Sequence, residues 1–179
     1  WVSALGIPAL GGAVAAMGHA WFGIPWALGL LAIPMVFVFT VIAVNSTGLT
    51  AITPSAHMGK LTQVIYGALA PGNVRANVMT AAITDDVALS ASNLLMDIKP
   101  GYMLGGKPRQ QAIGHVLGIV AGALVSVPVF YFAFLKHDVK NLATDTYPMP
   151  AAQIWRAVAE LLTQGIANLP TTAVWAALI

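Results

Sequence analysis

Asp85 and Asp86 stand within an apolar stretch that runs from about Asn77 to Met96, and Asp97 follows directly. A charge at mid-bilayer depth costs about 2.5–3.5 kcal/mol on insertion scales, so a carboxyl retained there is either compensated or used. On a helix Asp86, Ser90, Asn93 and Asp97 fall at i, i+4, i+7 and i+11 and share one face, which Thr84, Asp85 and Ser92 widen. Such a stripe can line an aqueous or substrate-filled interior. A carboxyl in it can take up and release a proton as the site changes access, which makes Asp85 and Asp86 the candidate proton-coupling residues. The plain alternative is that the aspartates cap a half-helix N-terminus or pair with a basic residue.

A second polar group precedes them. The stretch "NSTGLTAITPSAHMGK", residues 45–60, interrupts an apolar run with Asn45, Ser46, Thr47, Gly48 and Pro54, and the piece from about Gly59 to Ala70 is too short to span a bilayer alone. Together they predict a broken or re-entrant helix, allowed only where protein or a water-filled cavity covers the backbone. Broken helices of this kind present unwound backbone to substrates and ions. Asn45, Ser46, Thr47 and Gly48 are therefore candidate substrate-binding residues, with Gln63 and Tyr66 on the short helix and Asn93 on the aspartate stripe. An ordinary loop at the membrane surface explains Pro54 and His57 equally well.

The third polar region is "DIKPGYMLGGKPRQQ", residues 97–111. It is expected to be a tight turn between two spans, with Lys99 and Arg109 anchored at headgroup level and Gly101, Gly105, Gly106 and Pro108 permitting the reversal. Asp97, at the end of its helix, is disfavoured by the helix dipole and needs a salt bridge to Lys99, Arg109 or another span. Asp97, Lys99 and Arg109 are the candidate gate or loop residues. The island's three basic residues, against Lys136 and Lys140 in the loop of residues 136–150, place the island on the cytoplasmic side.

The elements that must position these residues follow from composition. Of 179 residues 58% are hydrophobic and only 8% charged, far from the roughly one-quarter charged residues of soluble domains. Apolar windows predict an all-α, polytopic transmembrane bundle with spans at about 1–17, 24–44, 59–70 (short), 77–96, 111–135, 150–168 and a truncated 171–179. Both ends look cut, so the chain reads as an internal part of one larger transmembrane transporter domain. Residues 150–168 are amphipathic, with Gln153, Arg156, Glu160 and Gln164 on one side, and Arg156 can pair with Glu160. A net charge of +2 without a basic run excludes a nucleic-acid footprint, and the absence of cysteine excludes disulfides and thiolate metal sites. His19, His57, His115 and His137 lack metal-ligand spacing, and there is no P-loop, nucleophile elbow or dinucleotide fingerprint, so neither a cofactor nor catalysis is expected. A membrane-embedded hydrolase using Asp85 and Asp86 and a structural or channel-forming membrane segment are the rival readings. The hydrolase suffers because helix neighbours diverge by about 100°.

"PSAHMGKLTQVIYGALAPGNVRANV" and "NLLMDIKPGYMLGGKPRQQAIGHVLG" resemble the oligopeptide transporter family, which includes the yellow stripe-like metal-chelate transporters. The block Asp97, Lys99, Gly101, Tyr102, Pro108, Arg109 carries the likeness, "YPMPAAQIWRAVAELLTQGIANLP" extends it, and "YMLGGKPRQQ" is closest to bacterial members. The resemblance implies proton-coupled import of small peptides or peptide-like metal chelates without ATP hydrolysis. Its partners would be substrate, protons, membrane lipid and the remaining spans of the same transporter, in an integral membrane protein of the bacterial inner membrane.

Overall fold

The computed structural model describes residues 2–54, 56–135, 142, 144 and 147–164. The loop residues 136–140 with Lys136, His137 and Lys140, the expected helix end at Leu169 and Pro170, and the expected segment 171–179 lie outside the described residues. Among the described residues six α-helices follow in order: α1 (Val2–Phe22), α2 (Trp26–Thr50), α3 (His57–Leu69), α4 (Val74–Met103), α5 (Pro108–Phe130), running into a π-helical turn at Tyr131–Leu135, and α6 (Pro150–Gln164). The architecture is all-α, and among the described residues three segments are long and apolar enough to cross a membrane: Leu5–Phe22, Trp26–Thr50 and Pro108–Phe134. α3, with 13 residues, is about 20 Å long and too short to do so.

Two compact units form. One comprises residues 1–92 with the chain from Trp155 onward, the other Asn93–Ile154. In the first, α1 and α2 make a hairpin closed at Gly23, whose φ of +66° a residue with a Cβ rarely adopts. His19 Nδ1 bonds Ile24 O at 2.9 Å, and its ring lies 4.9 Å from that of Trp26. Small residues let the pair close: a Cβ on Gly29 would meet Ala15 Cβ at 3.3 Å and one on Gly11 would meet Ile33 at 3.0 Å. This is the small-residue packing by which helices associate where lipid removes the hydrophobic drive.

α2 overruns its expected end. Residues Asn45–Gly48, expected to be unwound, are helical, and the break falls later, at residues 51–54 and 56. Short polar side chains bond back to carbonyls one turn earlier, as Asn45 Nδ2 does to Val41 O (3.0 Å) and Thr47 Oγ1 to Ala43 O (2.9 Å), so the helix carries them without unwinding. Both edges of the break are left-handed alanines, Ala51 at φ +56° and Ala56 at φ +62°. Each costs about 1–2 kcal/mol relative to the ordinary helical region and persists only because its surroundings demand it.

α4 starts at a conventional cap, Asn73 Oδ1 accepting the Ala76 N–H at 2.9 Å, and runs for 30 residues. The expected turn at residues 97–111 is consequently much shorter, because Asp97–Met103 remain helical despite Pro100 in the last turn. Reversal occurs at residues 104–107, where Gly105 has φ +86° and Gly106 N–H bonds Gly101 O at 2.8 Å; Pro108 then opens α5. A side chain at Gly101 would overlap Gln111, so glycine is required there by the close approach of α5.

Candidate functional site

The interior of the first unit is polar. Among its described residues the largest fully buried side chains are Tyr66, Gln63, Asn77, Thr62, Thr84 and Ser92, whereas Leu5, Leu10, Trp21, Leu30 and Phe37 are exposed. This is the pattern of a membrane protein, apolar outward and polar inward. α3 supplies Thr62, Gln63 and Tyr66 on one buried face with Met58, Gly59 and Gly67. α4 faces it with Asn77, Thr80, Ala81, Thr84, Ala88 and Ser92, again one helical face.

The first turn of α3 is held from two sides. Asp85 on α4 accepts the Ala56 N–H at Oδ2 and the Gly59 N–H at Oδ1, both at 3.1 Å. A carboxylate at a helix N-terminus satisfies otherwise orphaned donors and complements the dipole. On the other side Gly59 packs against the ring of Trp155 on α6 so closely that any side chain there would overlap it. Further along, a Cβ on Gly67 would lie 2.7 Å from Leu162 Cβ. Gln63 Nε2 donates to Trp155 O (2.9 Å), and Gly72 N–H donates to Thr163 O (2.9 Å). Tyr66 OH donates to Leu28 O, tying α3 to α2.

Of the residues singled out by sequence, Gln63, Tyr66 and Thr47 enter this interior, and Asp85 reaches its edge. Asn45 is exposed and Ser46 and Gly48 are partly buried on α2. Asp86, Ser90, Asn93 and Asp97 do share one face of α4, but it is exposed, and it points about 180° from the buried face that begins at Asn77. Thr84 and Ser92, expected to widen that stripe, belong to the buried face. Asp97 pairs with His115 on α5, Oδ2 to Nδ1 at 3.3 Å, so another helix supplies the partner its position demands. Lys99 and Arg109 are exposed. On α6, Arg156 Nε bonds Glu160 Oε1 at 2.7 Å in the expected i,i+4 pair. Asn77 and Thr80 are interior residues that the sequence reading does not single out, and Thr84 enters the interior on the face opposite Asp86 instead of beside it. The i, i+3, i+7 spacing of the three is the available signal, but the stripe that begins at Asp86 obeys the same period.

Between α1, α2 and α4 lies a cavity of about 390 Å³ lined by Ile7, Leu10, Val14, Ile33, Phe37 and Val87, among others. Its walls are apolar except for Thr40 and Thr80. No cluster of metal-binding side chains occurs among the described residues.

Comparison with known proteins agrees with this architecture. The profile described as "OPT oligopeptide transporter protein" matches residues 1–179. The chain is 32% identical over 126 residues to the Arabidopsis thaliana protein "Probable metal-nicotianamine transporter YSL8", covering 69% of this chain and 17% of that protein. It is 31% identical over 126 residues to "Probable metal-nicotianamine transporter YSL5" of the same plant, covering 69% and 18%. A rice protein, "Probable metal-nicotianamine transporter YSL8" of Oryza sativa subsp. japonica, is 32% identical over 127 residues, covering 69% and 18%. The chain thus spans less than one-fifth of the length of these relatives. No solved structure matches it. The helical interior and the full-length profile match lead to one assignment: the chain belongs to the OPT oligopeptide transporter family.

Proposed function

We propose that this chain is part of a secondary transporter that imports small oligopeptides or peptide-like metal chelates together with protons. The observation that carries the reading is the polar interior around the helix break, in which Gln63, Tyr66, Asn77 and Thr84 are buried beneath an apolar exterior. Amide and hydroxyl groups suit a ligand rich in peptide bonds, which needs hydrogen-bond partners when it leaves water. The named relatives add the metal–nicotianamine chelate as a specific substrate class.

Within this reading Asp85 and Asp86 remain the proton-coupling candidates, and their surroundings separate them. Both oxygens of Asp85 are engaged by backbone N–H groups of α3, whereas Asp86 is exposed on the stripe with Ser90 and Asn93. Asp86 is therefore the better carrier, on a face that further spans of the transporter would enclose as the passage. Asn93 remains a candidate substrate contact on that face, Asn45, Ser46 and Gly48 remain candidates on α2, and Thr47, Gln63 and Tyr66 remain candidates in the buried interior. Asp97, Lys99 and Arg109 frame a cytoplasmic hinge between α4 and α5. The two units form parts of one transport domain, and the wording of the hinge favours a bacterial inner membrane. The membrane-hydrolase alternative is not favoured, because Asp85 and Asp86 face different surroundings and cannot act on one atom.

Uptake by the full-length transporter in proteoliposomes tests this. Tri-alanine or the iron(II)–nicotianamine complex should accumulate when the outside is acidic, and accumulation indifferent to the pH gradient would remove proton coupling.

A further inference from the structure

Gln63 and Asn77 are the two buried amides nearest the helix break, 1% and 0% exposed, and each is only half satisfied. Gln63 Nε2 donates to Trp155 O at 2.9 Å, and Asn77 Nδ2 donates to the backbone oxygen of Gln63 at 2.7 Å. Their carbonyl oxygens, Gln63 Oε1 and Asn77 Oδ1, have no donor among the described residues. Turning either amide round gives no relief. It would set an oxygen against a carbonyl oxygen, so the donor bonds themselves fix which ends are left over. Buried acceptors in native interiors are nearly always paired, with protein or with an ordered ligand.

The chemistry of the surroundings selects the ligand. Among the described residues the buried polar side chains of this unit, Thr47, Thr62, Thr80, Thr84, Ser92 and Thr163 besides the two amides, are all uncharged, and Asp85 at their edge has both oxygens engaged by α3 backbone N–H groups. An ion entering them would be desolvated without a counter-charge. A neutral donor meets two acceptors at no such cost. α6 roofs this region through Gly59 and Gly67, with no side chain on the α3 side of either contact.

We propose that Gln63 Oε1 and Asn77 Oδ1 form one binding site, under α6, for a neutral N–H or O–H donor. The donor is an ordered water or, on the transport reading given above, a backbone amide N–H of the peptide-like substrate. The substrate source adds Asn77 to the specificity-determining residues.

The test uses the full-length transporter with Gln63→Met, Asn77→Leu and both together, followed by thermal unfolding without substrate and by uptake of tri-alanine. The bond from Asn77 to the Gln63 backbone survives Gln63→Met, and because contacting residues also couple without a ligand, the Tm cycle is read together with an experimental density map of the unsubstituted protein. A substrate N–H predicts that each single variant raises KM about tenfold with maximal rate retained, and that the double variant raises it little further. Water predicts unchanged KM, Tm losses that fail to add, and a density peak within hydrogen-bond distance of both oxygens without tri-alanine. Additive Tm losses with unchanged KM overturn the site. If Asn77→Leu does not fold, an experimental density map of the unsubstituted protein decides. A peak within hydrogen-bond distance of both oxygens, with or without tri-alanine, supports the site, and none in either state overturns it. Failure of the unsubstituted protein to take up tri-alanine would count against the transport reading alone, leaving the Tm cycle and the map to judge the site.

Discussion

Two adjacent carboxylates on α4 have unlike surroundings because consecutive helical residues diverge by about 100°. Asp85 turns toward α3 and accepts two backbone N–H groups, while Asp86 faces outward with Ser90, Asn93 and Asp97. Asp86→Asn should therefore abolish uptake driven by a pH gradient yet preserve substrate exchange, measured as counterflow in proteoliposomes. Asp85→Asn, which retains one acceptor oxygen, should keep gradient-driven uptake, and its loss in that variant would return Asp85 to the proton pathway. The presence of a polar face on α4 was legible from residue types alone. Which of two polar faces turns inward was not, because Asn77, Thr80 and Thr84 and Asp86, Ser90 and Asn93 obey the same helical period, and only packing against α3 distinguishes them.

At the scale of elements, the short helix α3 is the feature the rest of the first unit is built to hold. Its N-terminus follows a left-handed Ala56, is capped by Asp85 from α4, and has Trp155 of α6 laid across Gly59. Removing the cap with Asp85→Ala should cost about 1–3 kcal/mol, read as a fall in Tm of the purified transporter, and Asp85→Asn should recover part of it. Gly59→Ala should be destabilising by about 1–3 kcal/mol through overlap with the indole, and Trp155→Leu in the same protein should relieve that loss. Independent, additive losses would mean that the ring does not press on Gly59. That a break lies between α2 and α3 could be read from Pro54 and the polar run before it. Its onset could not, since Asn45 and Thr47 bond carbonyls of their own helix and extend it to Thr50. In the same way Pro100 and Gly101 suggested a turn, yet a helix tolerates both in its final turn, and Gly101 serves the approach of Gln111 instead.

At the scale of the whole molecule, long apolar helices occur together with buried polar side chains in the first unit, and an exposed polar stripe runs along α4. On the proposed transport reading, further spans, for which the much longer relatives have room, would cover that stripe. Sparse charge and long apolar windows sufficed to read an all-α membrane protein, and the Asp97 to Arg109 block sufficed to read its family. The direction of α4's polar stripe relative to a substrate passage is a property of the assembled protein. The most direct measurement is thiol accessibility in the full-length transporter on a cysteine-free background, with cysteine placed in turn at Asp86, Asn93 and, on the apolar surface of α5, Leu124. The account predicts that a membrane-impermeant reagent labels the first two positions, that tri-alanine or iron(II)–nicotianamine slows that labelling, and that the Leu124 position stays unlabelled. Labelling of Asp86 and Asn93 no faster than of Leu124, or untouched by substrate, would contradict it.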